Sequence, residues 1–310
     1  MAASRDRAVA PVALLTGAAV WGLVWYPYRV FAQAGLPGVQ ATTLTYLIAL
    51  LAGAVFLRRH VGSAWRSGRL DWRLPLIGLA AGGCNLGYVL ATLHGEVMRV
   101  MLLFYLAPLW TVLWAYWLLG ERLNRSGGAV IVLSLGGALV MLWRPELGMP
   151  WPASGAEWLG MLAGFLFALS NVMVRQTAQL SIEVKSLAVF LGAVVLGLLI
   201  LPLESLLQGG SGLAGYVVDS RMQPWHWGVL GLVGLILLLV NLIVQYGLTH
   251  TAANQAIVIF LFELVVAAVA SWLLVDETMG LREWLGGAMI ITASLFSGRL
   301  AADEQARPMG

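Results

Sequence analysis

The sequence predicts an all-α integral membrane protein whose ten transmembrane helices form two inverted five-helix repeats. Three observations lead to this fold class. Only 11% of the residues are charged and 60% are hydrophobic, apolar runs follow one another along the chain, and a pattern of motifs occurs twice. Soluble domains average about 25% charged residues, so a water-soluble fold would lack the polar side chains needed to cover its surface. We therefore expect a lipid bilayer around most of the chain.

Ten apolar stretches are long enough to cross a bilayer, which takes about 20 residues per helix. Glycine and proline separate several of them, as at residues 35–38, and favour tight turns between helices. The run after Arg5 and Arg7 is longer than the apolar region of a signal peptide, so it is expected to remain as the first span. The predicted spans are 9–33, 37–57, 74–93, 97–118, 126–143, 155–177, 184–203, 225–248, 254–275 and 281–300.

The basic residues predict the orientation, because cytoplasmic loops of membrane proteins collect Lys and Arg. With the N-terminus inside, the cytoplasmic side holds Arg5, Arg7, Arg58, Arg59, Arg66, Arg69, Arg73, Arg122, Arg125, Arg175, Lys185, Arg299 and Arg307. The outer side holds only Arg29, Arg99, Arg144, Arg221 and Arg282. This bias predicts cytoplasmic termini in a bacterial-type inner membrane. It also explains the basic residues as topology signals and leaves no reason to expect nucleic acid as a partner.

The second half repeats the order of motifs found in the first. Residues 115–121 (AYWLLGE) resemble residues 270–277 (ASWLLVDE), and the glycine pair at 127–128 recurs at 286–287. Each half contains five predicted spans, which predicts repeats over 1–145 and 146–310. Because five is odd, the second repeat enters the membrane upside down. Inverted repeats are a recurring transporter architecture with the substrate site near the midplane.

A family resemblance rests on the ten spans and on short motifs. These are Trp21-Gly22, the YLAPL segment at 105–109, and LLGE ending at Glu121 with a counterpart at Glu277. Together they resemble the EamA-like proteins of the drug/metabolite transporter superfamily, most of all the YddG-type aromatic amino acid exporters. The resemblance implies alternating access through a central cavity between the repeats, without a cofactor.

Two positions depart from that family's usual pattern. Glu263 stands where proline is usual in the second repeat, and the second span has Thr45-Tyr46 where an arginine is common. The second repeat is therefore expected to bring a charge to the midplane that the first repeat lacks.

Polar and aromatic side chains inside the predicted spans are candidates for binding substrate. A polar group facing lipid lacks a hydrogen-bond partner, so these groups are expected to face the protein interior. Rings and a thioether also suit a planar apolar ligand with a polar rim. The predicted substrate-binding residues are Trp21, Asn85, Tyr88, Met101, Tyr105, Asn171, Arg175, Tyr246, Phe260 and Glu263.

Some of these polar positions have two interpretations from the sequence. Trp21 shares a helix face with Trp25 and Tyr28, which fits a cavity wall or an interfacial aromatic belt. Asn241 and Gln245 share a face of the eighth span, which fits the pathway or hydrogen bonding between helices. Both interpretations stay open at each place.

Glu263 lies near the middle of the ninth predicted span. An ionised acid at the bilayer centre costs about 2.5–3.5 kcal/mol on insertion scales, so such residues face a wet cavity or a partner. Three roles follow: binding a substrate ammonium, relaying a proton, or pairing with Arg175 or Arg99. The spacing of Glu96 and Arg99 also predicts an ion pair at the outer surface.

The sequence predicts a transporter and not an enzyme. It contains no Walker motif, no Gly-x-Ser-x-Gly elbow and no His-Glu-x-x-His pair. The single cysteine, Cys84, and four scattered histidines give no metal-binding pattern. We expect amino acids, aromatic ones first, as substrates; the alternatives are cationic drugs or other metabolites, and, in another class, a membrane-embedded enzyme or sensor. The energy source and the oligomeric state do not follow from the sequence.

Overall fold

The computed structural model describes residues 2–60, 62, 71–148, 151–207, 222–275 and 279–297. Helices dominate all of these segments. The first half contains α1 (Ala2–Gln33), α2 (Gly38–Phe56), α3 (Arg73–His94), α4a (Val97–Phe104), α4b (Ala107–Leu119) and α5 (Arg125–Leu142). The second half contains α6 (Gly155–Gln176), α7 (Ile182–Leu207), α8 (Pro224–His250), α9a (Ala253–Phe260), α9b (Phe262–Val275) and α10 (Leu281–Phe296).

Nine helical stretches within the described segments are long and apolar enough to cross a membrane. They coincide with the first nine predicted spans when α4a–α4b and α9a–α9b are each taken as one crossing. The described part of α10, with 16 residues, is shorter than these. Some residues used in the sequence argument lie outside the described segments: Arg66, Arg69, Arg221, Glu277, Arg299 and Arg307.

Local sequence signals explain several helix ends. The Asn124 side chain accepts a hydrogen bond from the Gly127 N–H at the start of α5, and the Ser154 hydroxyl accepts one from the Glu157 N–H at the start of α6. Such side chains satisfy N–H groups that have no partner within the helix. Helix α4b ends at Leu119 and is followed by Gly120, whose φ of 71° is a left-handed conformation that glycine adopts without steric cost.

The fourth and ninth spans are each broken near their centre, whereas we expected continuous helices. In the fourth span, Tyr105 lies at the break between α4a and α4b. Pro108 accounts for this break, since it has no N–H to donate and its ring crowds the preceding turn. The ninth span breaks at Leu261, and no proline is present there.

Contacts between the two halves hold the bundle together. Helix α1, the first helix of the first half, packs on α8 and α9b of the second half. Helix α6, the first helix of the second half, packs on α3, α4a and α4b of the first half. Small residues allow the closest approaches: a Cβ added at Gly192 in α7 would lie 2.0 Å from the carbonyl oxygen of Gly78 in α3. Gly137 of α5 and Gly286 of α10 approach each other in the same way. Small residues at helix interfaces are the usual basis of packing in membranes, because backbones can then touch.

The two ends of the bundle differ in how tightly they close. At one end, which we call the Glu121 side, α4b ends, α9a begins, and these two half-helices pack on each other. All eight residues of α9a are buried. At the other end, the Arg99 side, α4a begins and is only partly covered; Val97 is 48% exposed. The Glu121 side is therefore the more tightly closed end.

Candidate functional site

Glu263 is the second residue of α9b, and Pro108 is the second residue of α4b. The two residues also correspond when the repeats are aligned, so their positions match in sequence and structure. The start of a helix accepts proline, because the N–H that proline lacks would have no helical partner. It also favours an acidic side chain, because the helix dipole is positive there. The acid in the second repeat is therefore compatible with the same local backbone.

The Glu263 carboxyl group faces α3 and the break between α4a and α4b. The Tyr105, Tyr88 and Cys84 side chains lie close enough to interact with it electrostatically. Glu263 and Tyr88 are half-buried, while Tyr105 is 7% exposed. Within the described segments no arginine or lysine is among the groups that interact with Glu263. The carboxyl group is thus enclosed by the bundle and partly accessible, and it has no positively charged partner in the part of the chain that the structure describes.

Five rings form what we call the central aromatic cluster: Tyr88, Phe104, Tyr105, Phe167 and Phe260. Phe104 lies at its middle, with ring centroids 5.0 Å from Tyr88, 5.2 Å from Tyr105 and 5.7 Å from Phe167. Phe167 continues to Phe260 at 5.5 Å. Most of these pairs are edge-to-face, which is a favourable geometry for aromatic rings. The cluster and Glu263 together offer aromatic walls beside one acid.

The structure brings part of the predicted site together. Tyr88, Tyr105 and Phe260 belong to the central aromatic cluster, and Glu263 adjoins it. Met101 packs against the same group of buried residues. Sequence reasoning missed Phe104 and Phe167. Phe167 lies one helical turn before Asn171, so the helical period was a signal that pointed to it.

Trp21 and Asn85 lie near this centre, each with a structural role. Trp21 is half-buried and precedes Gly22, where α1 touches the backbone of α9b; a Cβ on Gly22 would lie 2.8 Å from the Glu263 carbonyl oxygen. Asn85 accepts a hydrogen bond from the Tyr46 hydroxyl at 2.8 Å and donates one to the Ala81 carbonyl at 2.7 Å. The Asn85 amide is thereby tied into the protein at both ends.

Three predicted residues lie towards the Glu121 side. Arg175 donates a hydrogen bond to the Thr249 carbonyl near the ends of α6 and α8. Asn171 lies one turn before Arg175, and the Tyr246 ring packs against His250 in a tilted arrangement with ring centroids 4.4 Å apart. The pairing of Glu263 with Arg175, one of the three roles considered for Glu263, is not formed in this structure.

Arg99 forms its ion pair with Glu157, and not with Glu96 or Glu263 as the sequence suggested. Its guanidinium donates to Glu157 through Nε and Nη2, both at 2.9 Å, and to the Trp151 carbonyl at 2.9 Å. Glu157 is 6% exposed and also accepts from the Ala153 N–H. A two-pronged pair of this kind is the stronger form of ion pair. It fixes the start of α4a to the start of α6.

Glu121 links the repeats at the more tightly closed end. Its carboxylate accepts hydrogen bonds from the Ala253 N–H at 3.1 Å, the Asn254 N–H at 3.4 Å and the Asn254 side-chain amide at 3.1 Å. These groups form the start of α9a, where free N–H groups and the helix dipole favour an anion. The acid of the LLGE motif therefore caps a helix of the other repeat. Its counterpart Glu277 lies outside the described residues.

Metal binding has no candidate in the described part of the chain, where no three His, Cys, Asp or Glu residues gather closely enough.

Comparison with known proteins identifies the family. The model of the EamA-like transporter family matches this chain twice, at residues 9–143 and 154–299. The chain belongs to the EamA-like transporter family. It is a multi-pass membrane transporter and not an enzyme, and the two matches confirm the predicted duplication.

Individual relatives of this EamA-like transporter are distant. A riboflavin transporter of Rhizobium johnstonii is 27% identical over 278 residues, covering 88% of this chain and 84% of the relative. A riboflavin transporter of Brucella anthropi is 24% identical, covering 85% and 89%. An uncharacterized transporter of Archaeoglobus fulgidus is 25% identical, covering 84% and 87%. These relatives do not support the narrower resemblance to YddG-type exporters or the expectation of amino acid export.

The fold is also shared with a solved protein. A crystal structure superposes on 94% of this chain and 98% of its own with a TM-score of 0.70 and 18% identity. At that identity the likeness establishes the fold alone.

Proposed function

We propose that this EamA-like transporter carries riboflavin, or a closely related planar heteroaromatic solute, across the membrane. The observation that carries the proposal is the central aromatic cluster beside the half-buried Glu263. A flavin ring system has wide apolar faces that suit aromatic walls. Its ring edge and hydroxylated side chain offer hydrogen-bond donors that suit a carboxylate and a phenol. Two relatives that are named riboflavin transporters support the same substrate class.

The mechanism we propose is alternating access between two inverted repeats, 1–145 and 146–310. An odd number of crossings per repeat requires the inversion. The packing agrees with it: α1 of the first repeat packs on α8 of the second, and the corresponding helices, α6 of the second repeat and α3 of the first, also pack on each other. We also propose, from the distribution of basic residues, that both termini are cytoplasmic in a bacterial inner membrane. The Glu121 side is then the cytoplasmic side, and the structure corresponds to a state more closed towards the cytoplasm.

The residues of the central aromatic cluster and its neighbours have separate roles in this proposal. Phe104, Phe167 and Phe260 form the apolar walls, while Tyr88 and Met101 line the approach from the Arg99 side. Tyr105 orients the Glu263 carboxyl group, which accepts hydrogen bonds from the substrate. Trp21 supports this centre from α1, while Asn85 positions α3 through its bonds to Tyr46 and Ala81.

Aromatic amino acids are the second candidate substrate. The observation that favours them is the Glu263 carboxyl group, which has no positively charged partner among the described residues and would pair with a substrate ammonium group. Cationic drugs would use the same carboxylate.

Transport by purified protein in liposomes tests the proposal. Vesicles are loaded with riboflavin, and efflux is followed by its fluorescence. We expect flux well above that of protein-free vesicles, and a loss of about fivefold or more in Phe104→Ala, since base–aromatic stacking is worth about 1–3 kcal/mol per base. Trp284→Ala, at a residue 58% exposed on the outer surface of α10, is the matched control and should keep wild-type flux.

The two candidates are separated by repeating the assay with labelled tryptophan. Riboflavin flux equal to that of empty vesicles, together with protein-dependent tryptophan flux, would replace the first candidate by the second.

A further inference from the structure

Three buried amide side chains between the aromatic cluster and the Glu121 side have polar atoms without a hydrogen-bond partner. Asn171 in α6 is 8% exposed, and Asn241 and Gln245 in α8 are 9% and 3% exposed. Within the described part of the protein, Asn171 Nδ2, Asn241 Oδ1 and Gln245 Oε1 make no hydrogen bond. Buried polar groups are nearly always satisfied, so unsatisfied ones call for an explanation.

The three amides lie within about one helical turn of each other along the bundle axis. Arg175 and the Thr249 carbonyl join the ends of α6 and α8, and successive crossings alternate in direction, so α6 and α8 run the same way. Asn171 and Gln245 each lie one helical turn, about 6 Å, before that contact. Asn241 lies one further turn up α8, level with Phe167 of the central aromatic cluster. The amides therefore continue from the aromatic centre towards the Glu121 side.

Hydrogen bonding between helices does not account for these three groups. An amide that joins helices donates or accepts a bond across the interface, as Asn85 does with Tyr46. The unsatisfied atoms of Asn171, Asn241 and Gln245 gain nothing in the present state and carry the cost of lost hydration. A state in which water or a ligand reaches them would remove that cost.

The contact between Glu121 and the start of α9a closes the bundle next to these amides. Glu121 fastens the start of α9a, and every residue from Thr251 to Leu261 is buried. Release of α9a would open the bundle on the side where the amides lie.

We propose that Asn171, Asn241 and Gln245 form a second substrate subsite that is exposed when α9a separates from Glu121. Amides donate and accept hydrogen bonds and carry no charge, so the subsite takes neutral hydroxyl and imide groups. It receives the hydroxylated chain or the imide edge of the solute as the solute leaves the aromatic cluster. This inference rests on the proposed transport function but not on riboflavin as the only cargo.

Stability and transport are measured on the same variants: Asn171→Leu, Asn241→Leu and Gln245→Met in the full-length protein. Because each removes an unsatisfied amide, we expect the melting temperature without substrate to stay at or above the wild-type value. Riboflavin flux in liposomes should fall about tenfold, as expected when a ligand hydrogen bond of about 1.4 kcal/mol is lost. Asn85→Leu is the control, and its melting temperature should fall because its amide is bonded at both ends.

A fall in melting temperature like that of Asn85→Leu, or unchanged flux, would overturn the subsite. If the wild type moves tryptophan and not riboflavin, the proposed cargo fails and the same variants are compared with tryptophan.

A measurement without any cargo tests the exposure itself. Gln245→Cys is made in a Cys84→Ser background, with and without Glu121→Ala, and treated with a small thiol reagent in inside-out vesicles. Reaction at least several times faster in the Glu121→Ala protein is expected. Equal rates in both proteins would contradict the proposal.

Discussion

Glu263 and Pro108 occupy equivalent places, each at the second position of a half-helix, although one is ionisable and the other apolar. A helix start accepts both for separate reasons: proline forfeits no hydrogen bond there, and an acid meets the positive end of the dipole. The replacement therefore changes the chemistry of the centre without changing its backbone. Substitutions at Glu263 can accordingly separate folding from function.

Glu263→Pro is expected to fold with a melting temperature close to that of the wild type, because α4b already starts with proline at this position. Ala268→Pro is the matched control in the interior of α9b. There proline should cost about 3 kcal/mol or more, because it removes a helical hydrogen bond and crowds the preceding turn. Thermal unfolding of the two purified variants checks the prediction, and an equally large loss in Glu263→Pro would contradict it.

Glu263→Gln distinguishes the candidate substrates. Without the negative charge, flux of an amine-bearing solute such as tryptophan should fall about tenfold or more, since hydrogen bonds to charged groups are worth about 1.5–3 kcal/mol. Flux of neutral riboflavin should change much less, because the amide oxygen still accepts a hydrogen bond. The measurement is liposome flux of both solutes. A similar loss for both would show that the negative charge of Glu263 does not bind the substrate amine.

At the level of helices, α9a is held by a carboxylate that is 132 residues away in the chain. The free N–H groups at a helix start need partners, and Glu121 supplies them from the other repeat. Opening of the Glu121 side must break these bonds.

Glu121→Ala is expected to favour the state that is open on the Glu121 side. Loss of such a cap typically costs about 1 kcal/mol. Gln255→Cys, at a residue 7% exposed in α9a, reports the change in a Cys84→Ser background. A thiol reagent should label it faster when Glu121→Ala is also present. Labelling that is equally slow in both proteins would show that other contacts hold this end closed.

The glycine contact between α3 and α7 is expected to be needed for folding. In Gly192→Ala the new Cβ would lie 2.0 Å from the Gly78 carbonyl oxygen, and backbone cannot move aside cheaply. Gly128→Ala in α5 meets nothing within 4 Å and should leave stability unchanged or improve it, because alanine is the better helix former. Thermal unfolding should show a clear loss for Gly192→Ala alone; equal stability of the two variants would contradict the contact.

At the level of the whole molecule, the structure is asymmetric although its two halves match one family model. α9a is buried throughout while α4a is partly exposed. Two similar repeats that adopt different arrangements can exchange them, which is how inverted repeats give alternating access. The direction of transport relative to the cell depends on the orientation.

We predict that the Glu121 side is cytoplasmic. Single cysteines at two exposed residues, Glu146→Cys and Ser126→Cys, are made in a Cys84→Ser background. A membrane-impermeant thiol reagent applied to intact cells should label Glu146→Cys and spare Ser126→Cys, since Lys and Arg concentrate near the latter side. The reverse pattern would invert the orientation.

Much of the fold follows from the sequence because hydropathy acts locally. Each run of about 20 apolar residues must be placed in lipid whatever its neighbours do, and the motifs of the two halves identify the duplication. The same reasoning located Tyr88, Tyr105 and Glu263 inside the bundle, because polar or ionisable groups within spans are costly in lipid.

Only the tertiary structure shows which residues contact each other between distant parts of the chain. No proline marks the helix break at Leu261 in the sequence. The ion pair of Arg99 with Glu157 joins residues that are 58 positions apart. Glu121 binds the start of α9a, 132 positions away in the sequence. The lack of hydrogen-bond partners for the Asn171, Asn241 and Gln245 amides, within the described residues, follows only from the positions of all neighbouring side chains. Such relations depend on the register in which packed helices meet, and local hydropathy does not encode that register.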